Sequence, residues 1–162
     1  MILRPYDDSD LVLTRALEGD PIVMRHLGGA APDGDRARAV HDKRMAGIAQ
    51  GDLYRVVVPD GATDPVGLVA IWREEFAGEP IHEFGIMFRP DHHRRGLGMA
   101  ASRQIIAEFR AGGVADRLHC FSAVGNAATD HAAPILGFRP IGECDLDYEG
   151  QPLRCRHWVM DL

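Results

Sequence analysis

The sequence predicts an α/β fold of the α+β kind: a mixed, mostly antiparallel sheet of about seven strands flanked by helices. Three observations carry that reading. Short runs rich in β-branched residues, such as 53–58, alternate with longer stretches whose apolar residues recur at helical spacing. Turn chemistry marks the boundaries, as at Pro59-Asp60-Gly61. In order, the elements run β-αα-βββ-α-β-α-ββ, which is neither a helix bundle nor a two-sheet sandwich.

The first strand covers residues 2–6. Asp7, Asp8 and Ser9 then offer N-caps for a helix carrying Leu11, Leu13, Ala16 and Leu17. Pro21 starts a second short helix that runs to Leu27, since a residue without an N–H suits the first helical position. Residues 28–34 are rich in Gly, Ala and Pro and read as a loop. Asp33 or Asp35 begins a longer helix that ends at Ala49, before Gly51. Residues 53–58 and 66–72 then form a hairpin, and 81–88 is a third strand ended by Arg89-Pro90-Asp91. From Gly96 a helix places Leu97, Ala101, Ile105 and Phe109 on one face and stops at Gly112-Gly113. Residues 117–124 read as a strand, 127–136 as a helix and 138–145 as a strand. A last strand over 153–160 pairs back around Glu149-Gly150. Pro134 lacks the N–H for a helical bond and clashes with the carbonyl of Asp130, at ~3 kcal/mol, so its helix is expected to kink or split.

At 162 residues, with 46% hydrophobic and 26% charged residues, the chain is expected to be a single domain, 1–162, and not a disordered one. A net charge of −6 argues against a general nucleic-acid binder, which needs a broad basic face. One local basic cluster stands out: Arg89, His92, His93, Arg94 and Arg95. Cys120, Cys144 and Cys155 are odd in number and widely spaced, so they read as reduced thiols of a cytoplasmic protein. Met1-Ile2-Leu3-Arg4-Pro5 lacks a signal-peptide core and no apolar run nears a membrane span, so no membrane partner is expected.

The informative stretch runs from Glu83 to Ala100: a strand, a short loop, a glycine turn and a helix. A helix N-terminus has unpaired N–H groups and a positive dipole end, so it binds an anion that the backbone can approach. Gly96 and Gly98 remove obstructing side chains, and Arg94 and Arg95 add positive charge; a diphosphate is the natural occupant. The P-loop ending Gly-Lys-Ser/Thr is missing, and GxG after antiparallel strands does not make the dinucleotide GxGxxG fingerprint. Taken by itself, the turn is also compatible with a tightly packed helix start.

The segment resembles the acetyl-CoA signature of the GNAT N-acetyltransferase superfamily, Gln/Arg-x-x-Gly-x-Gly/Ala entered from a strand ending in a Pro-acidic pair. Pro90-Asp91 supplies that pair, Gly96 and Gly98 take the small-residue positions, and His93 stands where Gln or Arg is usual. Asn126, with Gly137-Phe138 eleven residues on, matches the second signature around the last helix. Glu83-x-Gly85, ten residues before His93, and the stretch Asp20 to Gly29 are similar to the branch of ribosomal-protein N-terminal acetyltransferases (RimJ/RimL-like).

The resemblance implies the GNAT fold and transfer of an acetyl group from acetyl-CoA to a primary amine by direct attack in a ternary complex. It implies no metal, an amine acceptor (a protein N-terminus, a lysine or a small molecule, an amine-bearing antibiotic included), and a monomer or homodimer. The residues implied to hold acetyl-CoA are Met87, Phe88, His93, Arg94, Arg95, Gly96, Leu97, Gly98, Met99 and Asn126, with backbone N–H groups of Met87 and Phe88 polarising the carbonyl. Glu83 is the candidate base; a carboxylate that binds the substrate's charge or pairs with an Arg is the alternative. His82 points to the opposite sheet face by strand alternation. The tyrosine that many members carry seven residues after the Asn is Ala133 here. Thr129, where the similar branch has Ser, is the candidate partner of the CoA sulfur; an ordinary helix residue is the alternative.

The histidines at 82, 92, 93, 119 and 131 do not read as a metal site, since adjacent His92 and His93 diverge and no i, i+4 His pair with a Glu occurs; a solvated basic loop near the CoA phosphates is the reading there. Trp72 and Trp158 read as core or pocket-wall residues, and Asp145, Asp147 and Glu149 as an exposed hairpin or an acidic acceptor lining. Two other functions stay open from sequence: a CoA-binding GNAT-like sensor without turnover, and a nucleotide-phosphate binder.

Overall fold

Asp7 and Asp10 set the first turn of the structure, each side chain accepting from the backbone at the other end of a capping box. In the computed structural model, which describes residues 1–29, 34–148 and 150–162, β1 (Ile2–Pro5) passes through that turn into α1 (Leu11–Glu18). The one-turn helix α2 (Pro21–Met24) and α3 (Gly34–Ala49) follow. Then come β2 (Leu53–Val58), β3 (Gly67–Phe76) and β4 (Glu79–Phe88) with no helix between them. A 3₁₀ turn at Pro90–His92 leads to α4 (Leu97–Gly112), β5 (Arg117–Ala123), α5 (Ala127–Leu136) and the hairpin β6 (Arg139–Tyr148) and β7 (Gln151–Asp161). Among the described residues α1, α2 and α3 stand at the three helical stretches read from the sequence, α2 ending at Met24, short of Leu27. Asp33, offered as a cap, and Glu149, offered as a turn residue and an acidic lining, lie outside the described residues.

The strands form one seven-stranded sheet in the order β1-β2-β3-β4-β5-β7-β6. Every neighbouring pair is antiparallel except β4 and β5. These two run parallel and share a single bridge, Glu83 with His119. Toward Phe88 and Ala123 no further pair joins them, so both strand edges stand open there as a wedge.

Side-chain alternation sends the two faces of the sheet to different helices. Phe84 and Phe88 of β4 pack with Ala101, Ile105 and Phe109 of α4, with Phe138 and Trp158 in the same core. The fourfold spacing read from the sequence is thus the buried stripe of α4, and each fully buried Ile or Phe there contributes about 1.5–3 kcal/mol. The opposite face buries Tyr54, Leu68 and Ala70 against Leu13 and Leu17 of α1, with Met45 of α3 and Met87 alongside. No helix among the described residues is long and apolar enough to cross a membrane.

Two expectations are corrected. β3 continues four residues past Trp72, because Ala77 (φ 53°) and Gly78 (φ 81°) make a two-residue turn with both φ positive that keeps the ladder paired to Phe76–Glu79. An alanine does not signal such a turn, and the polar run Arg73-Glu74-Glu75 hides the strand. The helix holding Pro134 is not split: α5 runs through to Leu136. Pro134 falls in the last turn, so one bond, to the carbonyl of Asp130, is forgone. Gly137 (φ 102°) closes the end, and the N–H of Phe138 reaches the carbonyl of Ala133 at 3.0 Å.

Candidate active site

The wedge between β4 and β5 is built from backbone. The N–H of Arg89 bonds the carbonyl of Val66 at 2.9 Å, which fixes the alternation along β4: Met87 and Gly85 turn their N–H groups to β3, and Phe88 and Ile86 turn theirs to the wedge. The expectation for Met87 is corrected on this point. Its amide belongs to the β3 ladder, and Ile86 replaces it beside Phe88. The Phe88 carbonyl is held from outside by Nε2 of His93 at 2.9 Å; a carbonyl only accepts, so Nε2 carries the hydrogen.

The loop beyond His93 presents a row of backbone donors. Arg94 (φ 58°) and Gly96 (φ 76°) are left-handed, which curls the chain so that successive N–H groups face one side. Among the described residues, none of the N–H groups of Arg94, Arg95, Gly96, Leu97, Gly98 and Met99 has an acceptor; the first bond of the helix start is Ala100 N–H to the Gly96 carbonyl, 3.1 Å. Gly98 is seated on β4: a Cβ there would stand 3.1 Å from Cδ1 of Ile86. Arg94 and Arg95 are exposed and form no ion pair among the described residues. This donor row, flanked by two free cations at a helix N-terminus, fits a diphosphate.

On the opposite rim, Asn126 caps α5, its Oδ1 accepting from the N–H of Thr129 at 3.4 Å. The Asn126 amide nitrogen and the Thr129 hydroxyl have no hydrogen-bond partner among the described residues. Asp130, next in line, is fixed by Arg156 of β7 at 2.6 Å.

Glu83 lies at the apex of the wedge, on the α1/α3 face. It is partly buried, opposite Trp72 on β3, whose ring lies over Gly85, where an added Cβ would meet it at 2.8 Å. Trp72 in turn stacks on Tyr54 with ring centres 6.4 Å apart. Burial, with Glu74 second, pushes the Glu83 carboxyl up to about 8, and Lys43 opposes them weakly. Lys43 itself stands 3.8 Å from Glu74. Arg44 of α3, buried and bonded to Thr14 (2.8 Å) and Glu18 (3.2 Å), extends to within 3.7 Å of the Met87 sulfur.

The structure therefore brings together Glu83, Phe88, His93 and the 94–99 loop along β4, and Asn126 with Thr129 across the wedge. Other predicted residues separate. His82 leaves the site on the opposite face, its ring 5.1 Å from Phe109. Among the histidines only His92 and His93 belong to the loop; His119 is on β5 and His131 on α5. Among the described residues, no three His, Cys, Asp or Glu side chains converge. Asp145 pairs with Arg154 at 3.4 Å and Asp147 accepts from the Gly150 N–H at 2.6 Å, so both serve their own hairpin. Trp158 is core, and Trp72 is a wall of the site.

Residues 1–139 match the family model described as acetyltransferase (GNAT) domain. The chain belongs to the GNAT acetyltransferase family. Among solved structures this GNAT protein is similar to ribosomal-protein-alanine N-acetyltransferase from Brucella melitensis, at 19% identity and a TM-score of 0.81 over 100% of both chains. It is also similar to spermidine N-acetyltransferase from Vibrio cholerae in complex with CoA and spermine, at 16% identity and a TM-score of 0.79, covering 99% of this chain and 94% of that one. RimL, the ribosomal L7/L12 alpha-N-protein acetyltransferase in complex with coenzyme A, matches at 12% identity and 0.78 over 99% and 93%. No curated protein sequence matches the chain. Sequence reasoning missed Tyr54, Arg44 and the His119–His157 contact in this GNAT site. Each depends on which strands and helices face one another; Gly85 was the only local signal, a glycine between Glu83 and the loop that the ring of Trp72 requires.

Proposed function

We propose that the chain, acting as one domain, transfers an acetyl group from acetyl-CoA to a primary amine by direct attack in a ternary complex. The observation that carries this reading is the unpartnered donor row of Arg94 to Met99, opening onto a wedge that has Glu83 at its apex. Acetyl-CoA, held there, supplies an activated thioester. Arg94, Arg95 and the loop amides hold its diphosphate, Leu97, Gly98 and Met99 lending N–H groups of the first helical turn. The Asn126 amide and the edge of β4 hold the linear arm. The N–H groups of Ile86 and Phe88 are preorganised donors for a carbonyl oxygen that gains negative charge.

Glu83 accepts the proton of the incoming ammonium from the α1/α3 face, where Tyr54 and Trp72 wall the approach. Held up near 8, its carboxyl is ionised in a fraction that grows with pH, so turnover rises through neutrality toward pH 8. Thr129 offers its hydroxyl to the departing sulfur, in place of the tyrosine that Ala133 displaces. The acceptor is a protein N-terminus, a lysine or a small amine. With three free thiols, the protein acts in the cytoplasm as a monomer or homodimer.

Free-thiol release from acetyl-CoA, on adding peptide and small-molecule amines, tests the reading with Glu83→Gln alongside. Turnover in wild type and its loss in the variant support it. Undiminished turnover in Glu83→Gln rejects Glu83 as base. Tight CoA binding with no turnover for any amine means a sensor module instead, and thermal protection by ATP but not CoA means a nucleotide site.

A further inference from the structure

Glu83 has a neighbour on its own sheet face that acetyl transfer leaves unused. His119 is its bridge partner on the parallel strand β5, and bridge partners project to the same side. Nδ1 of His119 lies 2.9 Å from Nε2 of His157, with ring centres 5.1 Å apart. His157 is buried and stacked on Phe121 at 4.4 Å, with Phe76 edge-on at 4.9 Å. Two imidazoles at that distance share one hydrogen: one ring donates and the other offers a lone pair. With Nδ1 of His119 turned to β7, its Nε2 points the other way, toward the β4 side, and has no hydrogen-bond partner among the described residues.

This pair answers a difficulty at Glu83. Each transfer leaves a proton on a half-buried carboxyl, and the proton has to leave before the next amine is deprotonated. We propose that His119, held by His157, is the positioning residue through which the Glu83 proton reaches solvent. With the Nδ1–H of His119 donated to Nε2 of His157, Nε2 of His119 carries a lone pair. The carboxyl O–H breaks as an intervening water takes its proton and passes one on, an N–H forms at Nε2, and that N–H then gives its proton to bulk water or a buffer base. Glu83 returns to the carboxylate, His119 to neutral imidazole, and nothing is oxidised or reduced. The inference rests on Glu83 being the base.

The other groups around the pair do not compete. Glu74 and Lys43 face Glu83 from β3 and α3 and are engaged with each other. Burial pushes the Cys120 thiol up to about 12 and the Cys155 thiol up to about 11, so both stay protonated; Tyr54 is pushed up likewise. His119 is lowered by burial and then by Arg117, and His157 by burial and then by His119, down to about 4. Both rings are neutral at pH 7, so His119 takes a proton briefly and does not keep it.

The test uses the full chain with acetyl-CoA and an amine that wild type acetylates. His119→Ala is expected to lower kcat at pH 7 by about tenfold or more at unchanged KM, and added free imidazole to restore most of it. An unchanged kcat, or a loss that imidazole does not recover, overturns the proposal. A second measurement follows the ring nitrogens of His119 by NMR in wild type and Glu83→Gln. An inflection near pH 8 that vanishes in the variant is expected; no inflection, or one that survives, overturns the proposal. That titration decides if His119→Ala does not fold. It also decides if wild type acetylates no amine, in which case the acetyltransferase reading has failed separately.

Discussion

Replacing Glu83 with Gln isolates an electrostatic penalty whose size and pH window follow from the fold. Burial, and Glu74 after it, raise the carboxyl from 4.5 to about 8 in the folded protein. The unfolded chain titrates at the ordinary value, so across this window the folded state binds the extra proton. Stability from this group is therefore complete below about pH 4.5 and falls as pH rises through 8. The full gap corresponds to roughly 5 kcal/mol. Water reaching the partly exposed carboxylate reduces the realised penalty to about 2–4 kcal/mol. Glutamine keeps the shape and never ionises. Urea unfolding of wild type and Glu83→Gln is expected to agree within about 0.5 kcal/mol near pH 4.5, with the variant ahead by about 2–4 kcal/mol near pH 9. A stability difference that is the same at both pH values would refute burial of an ionising carboxyl as its origin.

Other substitutions probe the frame around it. Gly96→Ala forces a left-handed φ on a residue with a Cβ; a loss of about 1–2 kcal/mol and weaker CoA binding are expected by thermal melting and calorimetry. Gly85→Ala drives a Cβ into the Trp72 ring, so stability should drop about 1–3 kcal/mol with a shift in tryptophan emission. Arg44→Met removes the Arg44 guanidinium from buried Glu18, and about 3 kcal/mol should be lost in denaturant titration. A loss below about 0.5 kcal/mol would show that Arg44 does not hold α1 and α3 together.

Much of this was legible in the sequence because it is local. Gly96 and Gly98 after Pro90-Asp91 mark a helix start whose first-turn N–H groups are unpartnered among the described residues, and the stripe from Ala101 to Phe109 marks the buried face of α4. Glu83 and His82 were correctly sent to opposite faces by alternation alone. What escaped was set by pairing. Which of Ile86, Met87 and Phe88 turns its amide to the wedge depends on the β3 register, because a shift of one residue swaps the two sets of amides and one strand alone does not reveal it. The extension of β3 depended on a turn through Ala77, and the His119–His157 contact on β7 lying beside β5 instead of following it in order.

The wedge between β4 and β5 also means that the sheet is unfinished on its own. Ile86 and Phe88 turn their amides to an edge that no strand pairs among the described residues, so on the proposed reading a linear amide-bearing ligand laid there is a removable part of the architecture. A ligand at a hundred times its dissociation constant adds about 2.7 kcal/mol to the folded state. On that arithmetic the population of folded molecules, and with it their survival against proteases, follows the concentration of the ligand. On the proposed reading, supply of the ligand sets how much folded protein persists as well as how fast it works.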